Sequence, residues 1–171
     1  MAGIAGEPES PASAPGRRRA AGIYGAIITA AILAAAGAKL STVALAVSIL
    51  ITLLVYWIAE EYAEVLGEQA TQGRLPTRAS IREALTSTWP MVSASYLPLL
   101  ALVVARLAGA SPSAAADVGL VTAVVLLTYH GWSAGRAAQL RGWRLAGAVL
   151  TAAGLGLVMV VLKDLVLLHL H

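Results

Sequence analysis

Long apolar runs separated by short polar breaks set the rhythm of this chain, and that rhythm predicts helices that cross a lipid bilayer. The runs cover residues 20–38, 40–59, 91–108, 113–134 and 145–164. Each is about 18 to 22 residues long, the length at which a helix spans the hydrocarbon core. A membrane β-barrel would instead alternate apolar and polar positions over segments of about 10 residues. The expectation is an all-α, polytopic membrane bundle of five transmembrane helices.

The breaks sharpen the boundaries. Residues 1–19 carry Pro8, Pro11 and Pro15 among small and polar residues and close on Arg17, Arg18 and Arg19, which predicts a disordered, basic-ended tail. Ala36-Gly37-Ala38 also fits a small-x-small cleavage site, although the apolar stretch before it exceeds the usual signal-peptide core. The second run ends on Tyr56 and Trp57, rings that favour the membrane interface. Residues 60–89 then form a polar loop, with Gly73 and Pro76 as breakers. Within it Ser80-Ile81-Arg82-Glu83 has the form of a capping box that would open a short amphipathic helix. Pro90 interrupts that helix, and Pro98 should kink the third span. Ser111-Pro112 reads as the N-cap and first residue of the fourth.

Composition turns this pattern into a solvent argument. The 171 residues are 58% hydrophobic and 12% charged, and the mean hydropathy is +0.78. Nine acidic and twelve basic residues cannot cover a water-facing surface for a chain this apolar. The lipid bilayer is therefore the expected partner, with a homo-oligomer or a second membrane protein as further company. The net charge of +3 is dispersed in short clusters beside apolar runs, with no basic surface interleaved with aromatics, so nucleic acid is not an expected partner. The absence of cysteine excludes disulfides and thiolate chemistry.

Charge placement predicts orientation, because Lys and Arg collect on the cytoplasmic side of short loops. Five spans put Arg17, Arg18, Arg19, Arg74, Arg78, Arg82, Arg136, Arg141 and Arg144 on one side. The other side receives Lys39, Arg106 and Lys163. Nine against three predicts an N-terminus inside, a C-terminus outside and a multi-pass protein of the bacterial cell membrane.

Inside lipid, helices associate through small residues and polar contacts. Gly22, Ala26, Ala30 and Ala34 recur every fourth residue on the first span, and Ala148, Ala152 and Gly156 do so on the fifth. These are the candidate packing faces, within the chain or between copies.

Few residues carry candidate chemistry. Glu60, Glu64 and Glu68 share one helical stripe with Glu61 beside it, oxygen ligands of the kind that suit a divalent cation; the alternative is a solvated charged face paired with nearby arginines. His130 stands near the end of the fourth span, where an interfacial role competes with a functional one. Lys163 and Asp164 read as residues of the opposite interface, and His169 and His171 end the chain. No phosphate loop, zinc-hydrolase helix or nucleophile elbow occurs, so an enzyme is not expected, and no resident cofactor is expected beyond a divalent metal at the glutamates.

In layout the chain resembles the vacuolar iron transporter family. The residues that carry the likeness are Gly25 to Ala38 with Thr29 and Gly37-Ala38, Ala59-Glu60-Glu61-Tyr62 through Gln69, Leu97-Pro98-Leu99-Leu100, and Gly135 to Gly142. The resemblance implies five spans, an inside N-terminus, and a cytoplasmic Glu-rich metal-binding region between spans two and three, with Glu61 as a ligand. The sequence departs from the family where its Asp-Gly appears as Tyr24-Gly25, where its Met falls at Trp57, and where Gln69 to Trp89 is shorter than the usual Glu-bearing helices. The chain is equally similar to small membrane proteins of Ala-rich bacterial proteomes, which imply no activity. The expectation is a transporter-like protein for a divalent cation or small solute, or else a non-transporting scaffold or accessory subunit acting through helix contacts.

Overall fold

A computed structural model describes residues 14–37, 39–72 and 77–169. Among these described residues seven helices follow in order: α1 (Ala14–Ala36), α2 (Thr42–Gln72), α3 (Arg78–Thr88), α4 (Pro90–Ser93), α5 (Tyr96–Leu107), α6 (Pro112–Ala137) and α7 (Trp143–His169). Among the described residues there is no strand. Five helical stretches are long and apolar enough to cross a membrane: Pro15–Ala36, Thr42–Gly67, Ile81–Leu107, Pro112–Ala137 and Trp143–Val161. Among the described residues the fold is thus all-helical, with five helices long and apolar enough to cross a membrane.

Several boundaries differ from those the sequence predicts. α1 opens at Ala14, so Arg17, Arg18 and Arg19 are helical rather than part of a disordered tail. Pro15 explains the early start, because a proline in the first turn forfeits an N–H that would be unpaired anyway. Residues 1–13 lie outside the described residues. The polar loop at 60–89 is mostly helix as well, since α2 runs on to Gln72 and α3 begins at Arg78. The capping box does not form, because Ser80 is already inside α3; the boundary falls at Thr77, whose carbonyl accepts from the Ile81 N–H at 3.1 Å. The predicted breakers Gly73 and Pro76 lie outside the described residues.

The third span is the most altered. It reaches back to Ile81 and is built from α3, α4 and α5 in succession. The break before α5 falls at Ala94 and Ser95, not at Pro98, which occupies the first turn of α5. A proline ring collides with the carbonyl four residues before it, so Pro98 ends the preceding helix at position 94. Ser95 relieves the broken end, its hydroxyl donating to the Val92 carbonyl at 2.8 Å.

α1 lies at the centre, packed on α6 and α4 and touching α2, α3 and α7, while α5 and α7 flank α6. Leu33, Leu45, Ile49, Leu102 and Leu120 fill the main core among alanines. The buried Thr29 hydroxyl is satisfied within its own helix, donating to the Gly25 carbonyl at 2.7 Å. The outward faces are as apolar as the core. Val43, Val55 and Ile58 on α2 and Leu150, Leu157 and Val158 on α7 are all exposed. Soluble monomers rarely expose continuous apolar surface on this scale, whereas lipid covers it without cost.

Candidate functional site

Gathering the helix ends shows what meets what. Gly22 of α1 abuts the His130 ring of α6, and Gly37 abuts Ala116, so α1 and α6 run antiparallel. Arg17 forms an ion pair with Glu64 of α2, and Gly135 of α6 faces Leu145 of α7. One end of the bundle therefore holds Arg17, Glu64, His130 and the α6–α7 turn with Arg136, Arg141 and Arg144. Lys39, Arg106 and the α5–α6 turn occupy the other.

The small-residue faces lie inside the bundle. Gly22, Ala26 and Ala30 are buried, and Ala34 is partly buried against the core. Ala26 packs in one cluster with Leu127 and Ala152. On α7, Ala148 and Ala152 line up against Gly131, where an added Cβ would stand 2.7 Å from the Ala152 methyl. Gly156 meets Val124.

The glutamates divide among different partners. Glu64 pairs with Arg17, both side chains about 30% exposed (29% and 28%). Glu61 turns the other way, only 7% exposed, and accepts from the Thr88 hydroxyl of α3. Thr88 in turn accepts from the Trp57 indole N–H at 3.1 Å and lies 3.1 Å from the Ala84 carbonyl. Trp89 closes the arrangement edge-on to Trp57, with ring centroids 5.3 Å apart. Glu60 is half-buried beside them. One oxygen of Glu60 and one of Glu61, with the Arg17 Nε, are buried without a hydrogen-bond partner. The Glu68 side chain lies outside the described residues. Among the described residues, no three His, Asp or Glu side chains converge as a set that could hold a metal ion.

His130 is half-buried; a methyl at Gly22 would sit 3.4 Å from its Cε1, and its ring meets Tyr129 at 6.0 Å. Pro98 is buried, its carbonyl facing Gly119 of α6. The Lys163, Asp164 and His169 side chains, and His171 entirely, lie outside the described residues.

Reading the sequence alone missed Thr88 and the indole of Trp57 as partners of Glu61. The one signal available was the run Thr86-Ser87-Thr88, three hydroxyls at the place where α3 leaves its charged turns and enters the bundle. Arg17 entered the sequence reading only as a topology signal, whereas it reaches across to α2.

Chemically, the arrangement leaves one oxygen of Glu60 and one of Glu61 buried without a donor. A buried carboxylate oxygen without a donor is costly, and a cation or a proton relieves that cost. Compared with protein-family models, curated proteins and solved structures, the chain matches none.

Proposed function

We propose that the protein is a five-span membrane protein, N-terminus inside and C-terminus outside, that moves a divalent cation or small solute through the cell membrane by way of the Glu60–Glu61–Glu64 mouth. One observation carries the reading: Glu61 is buried against α3 and yet keeps an oxygen free of any hydrogen-bond partner, beside a second such oxygen on Glu60. Ionisable groups inside membrane bundles are expensive to hold and concentrate on transport pathways. The cation is substrate in this reading, held in passing by few ligands.

Uptake into proteoliposomes tests it. Iron, manganese, zinc and cobalt are offered in turn to the full chain, and at least one should accumulate, with Glu61→Gln abolishing the signal. No uptake of any of the four, together with no effect of Glu61→Gln, removes the proposal.

A second reading has one observation in its favour. Gly147 and Gly154 of α7 face open space, with no atom that an added Cβ would meet within 4 Å. Being seven residues apart they share one helical face, and small residues on such a face admit close approach of another helix. A scaffold or accessory subunit would use that face. Crosslinking from Gly147→Cys in native membranes would capture a neighbour, and a monomer with no adduct would count against this reading.

A further inference from the structure

We propose that the arginine-rich end of α6 and α7 binds one anionic phospholipid, its headgroup against Arg136 and Arg141 and one acyl chain in the groove between the two helices. The inference rests on the bundle lying in lipid, and it is independent of the glutamate mouth.

Two adjoining hollows define the site. The first is a polar cup of ≈ 240 Å³ lined by Arg136, Gln139, Leu140 and Arg141. The second is an apolar groove of ≈ 370 Å³ whose walls include Gly131, Gly135, Ala148, Thr151 and Leu140. Leu140 lines both, so a polar hollow and an apolar one adjoin at that residue. The groove exists because α6 and α7 present glycine and alanine to each other, which lets the backbones touch and leaves the volume beside the contact unfilled.

The cup is made by the way α6 stops. The Leu140 N–H donates to the Gly135 carbonyl at 2.9 Å and the Gln139 N–H to the Arg136 carbonyl at 3.0 Å, the paired bonds of a Schellman ending. That ending needs a left-handed residue, and Gln139 takes it with φ 56°. At the equivalent turn after α5 the chain uses Gly109, with φ 91°. A side chain therefore stands at a position where glycine is the unstrained choice, and Gln139 is one of the residues that line the cup. Retained strain of this kind concentrates at ligand sites.

Charge identifies the occupant. The cup is lined by two arginines and a glutamine, and no acidic residue lines either hollow. A phosphodiester satisfies such donors, and basic pockets between membrane helices take anionic headgroups. Trp132, with the Arg136 guanidinium 5.9 Å from its ring centroid, and the exposed Trp143 put the cup at the level of the headgroups. Zwitterionic lipids would bring their own cation against the two arginines.

Native mass spectrometry of the full chain in detergent tests the proposal, with dioleoyl phosphatidylglycerol and dioleoyl phosphatidylcholine supplied at equal concentration. Wild type should retain one phosphatidylglycerol about tenfold better than phosphatidylcholine. The double substitution Arg136→Gln/Arg141→Gln should bring the two lipids level, and Thr151→Phe, which fills the groove, should weaken both. Inorganic phosphate in a parallel arm should displace nothing. Equal retention of the two lipids by wild type, or unchanged phosphatidylglycerol retention in the arginine variant, would overturn the site. Displacement by phosphate alone would make the cup a free-anion site, and a dimer abolished by Thr151→Phe would give the groove to a second copy; either result also overturns it. Solubility of the same preparation without detergent reports separately on whether lipid is the solvent at all.

Discussion

The Thr88 hydroxyl of α3 stands between two side chains of α2, accepting from the Trp57 indole and donating to the Glu61 carboxylate. It is the polar rivet of an otherwise apolar contact between α2 and α3. Thr88→Val keeps the shape and deletes both bonds, so Glu61 keeps its burial and loses its donor. Leaving a buried acceptor unpaired costs about 1–3 kcal/mol, and more when it is charged. Unfolding of the purified protein in a mixed-micelle titration should show a loss of at least that size. Glu61→Leu combined with Thr88→Val should recover part of it, because the carboxylate that lost its donor is gone, while the Trp57 indole N–H still lacks its acceptor. Equal stability of Thr88→Val and wild type would show that the hydroxyl supports nothing.

Gly25 marks the closest approach of α1 to α4. A Cβ built there would lie 2.0 Å from the Met91 carbonyl oxygen, a backbone atom that cannot swing away. Gly25→Ala must separate the two helices and should cost about 1–3 kcal/mol, the range for overpacking in a tight interior. Gly147→Ala is the control, since its position faces open space and alanine is the better helix former. Thermal denaturation in detergent should rank them clearly, Gly25→Ala well below wild type and Gly147→Ala level with it or above.

The Arg17–Glu64 pair joins the start of α1 to the outer turns of α2. With both side chains about 30% exposed (29% and 28%), solvent screens the attraction, and a coupling of about 0.2–1 kcal/mol is expected. A double-mutant cycle of Arg17→Gln and Glu64→Gln measures it directly. The coupling should shrink from low to high salt, because ions screen exposed pairs. A coupling of several kcal/mol, or one indifferent to salt, would mean that the pair is buried in the folded protein.

How much of this was legible in the sequence depends on which force sets each feature. The apolar runs were readable because span length is imposed by the bilayer, and all five predicted runs have a counterpart among the five candidate spans. The Ser111 cap was readable too, since its hydroxyl accepts from the Ala114 N–H three residues on, a contact local in sequence. The capping box at Ser80 failed for a related reason: Thr77 is an equally good boundary residue three positions earlier, and α3 begins directly after it. Pro98 was identified as a breaker but placed at its own position, whereas the steric clash acts four residues upstream. The partners of Glu61 were not legible, because Trp57 and Thr88 are 31 residues apart and only tertiary packing brings them together.

Orientation is the remaining large-scale expectation, and the lack of cysteine makes it straightforward to measure. The helix ends already separate these basic residues into two groups: Arg17, Arg136, Arg141 and Arg144 share one end of the bundle, and Lys39 and Arg106 the other. On the proposed topology, cytoplasmic enrichment of basic residues leads to the expectation that the first end faces the cell interior. Single cysteines at Gly73, Gln139, Lys39, Ser111 and His171 should then sort by side when intact cells meet a membrane-impermeant maleimide. Lys39, Ser111 and His171 should react from outside, while Gly73 and Gln139 should react only after the membrane is opened. Labelling of Gln139 from outside would invert the protein. It would turn the glutamate mouth and the arginine cup to the exterior, and substrate entry would have to be sought from that side. Labelling of all five in intact cells would mean that the helices do not span at all, and the apolar faces of α2 and α7 would then need a protein cover in place of lipid.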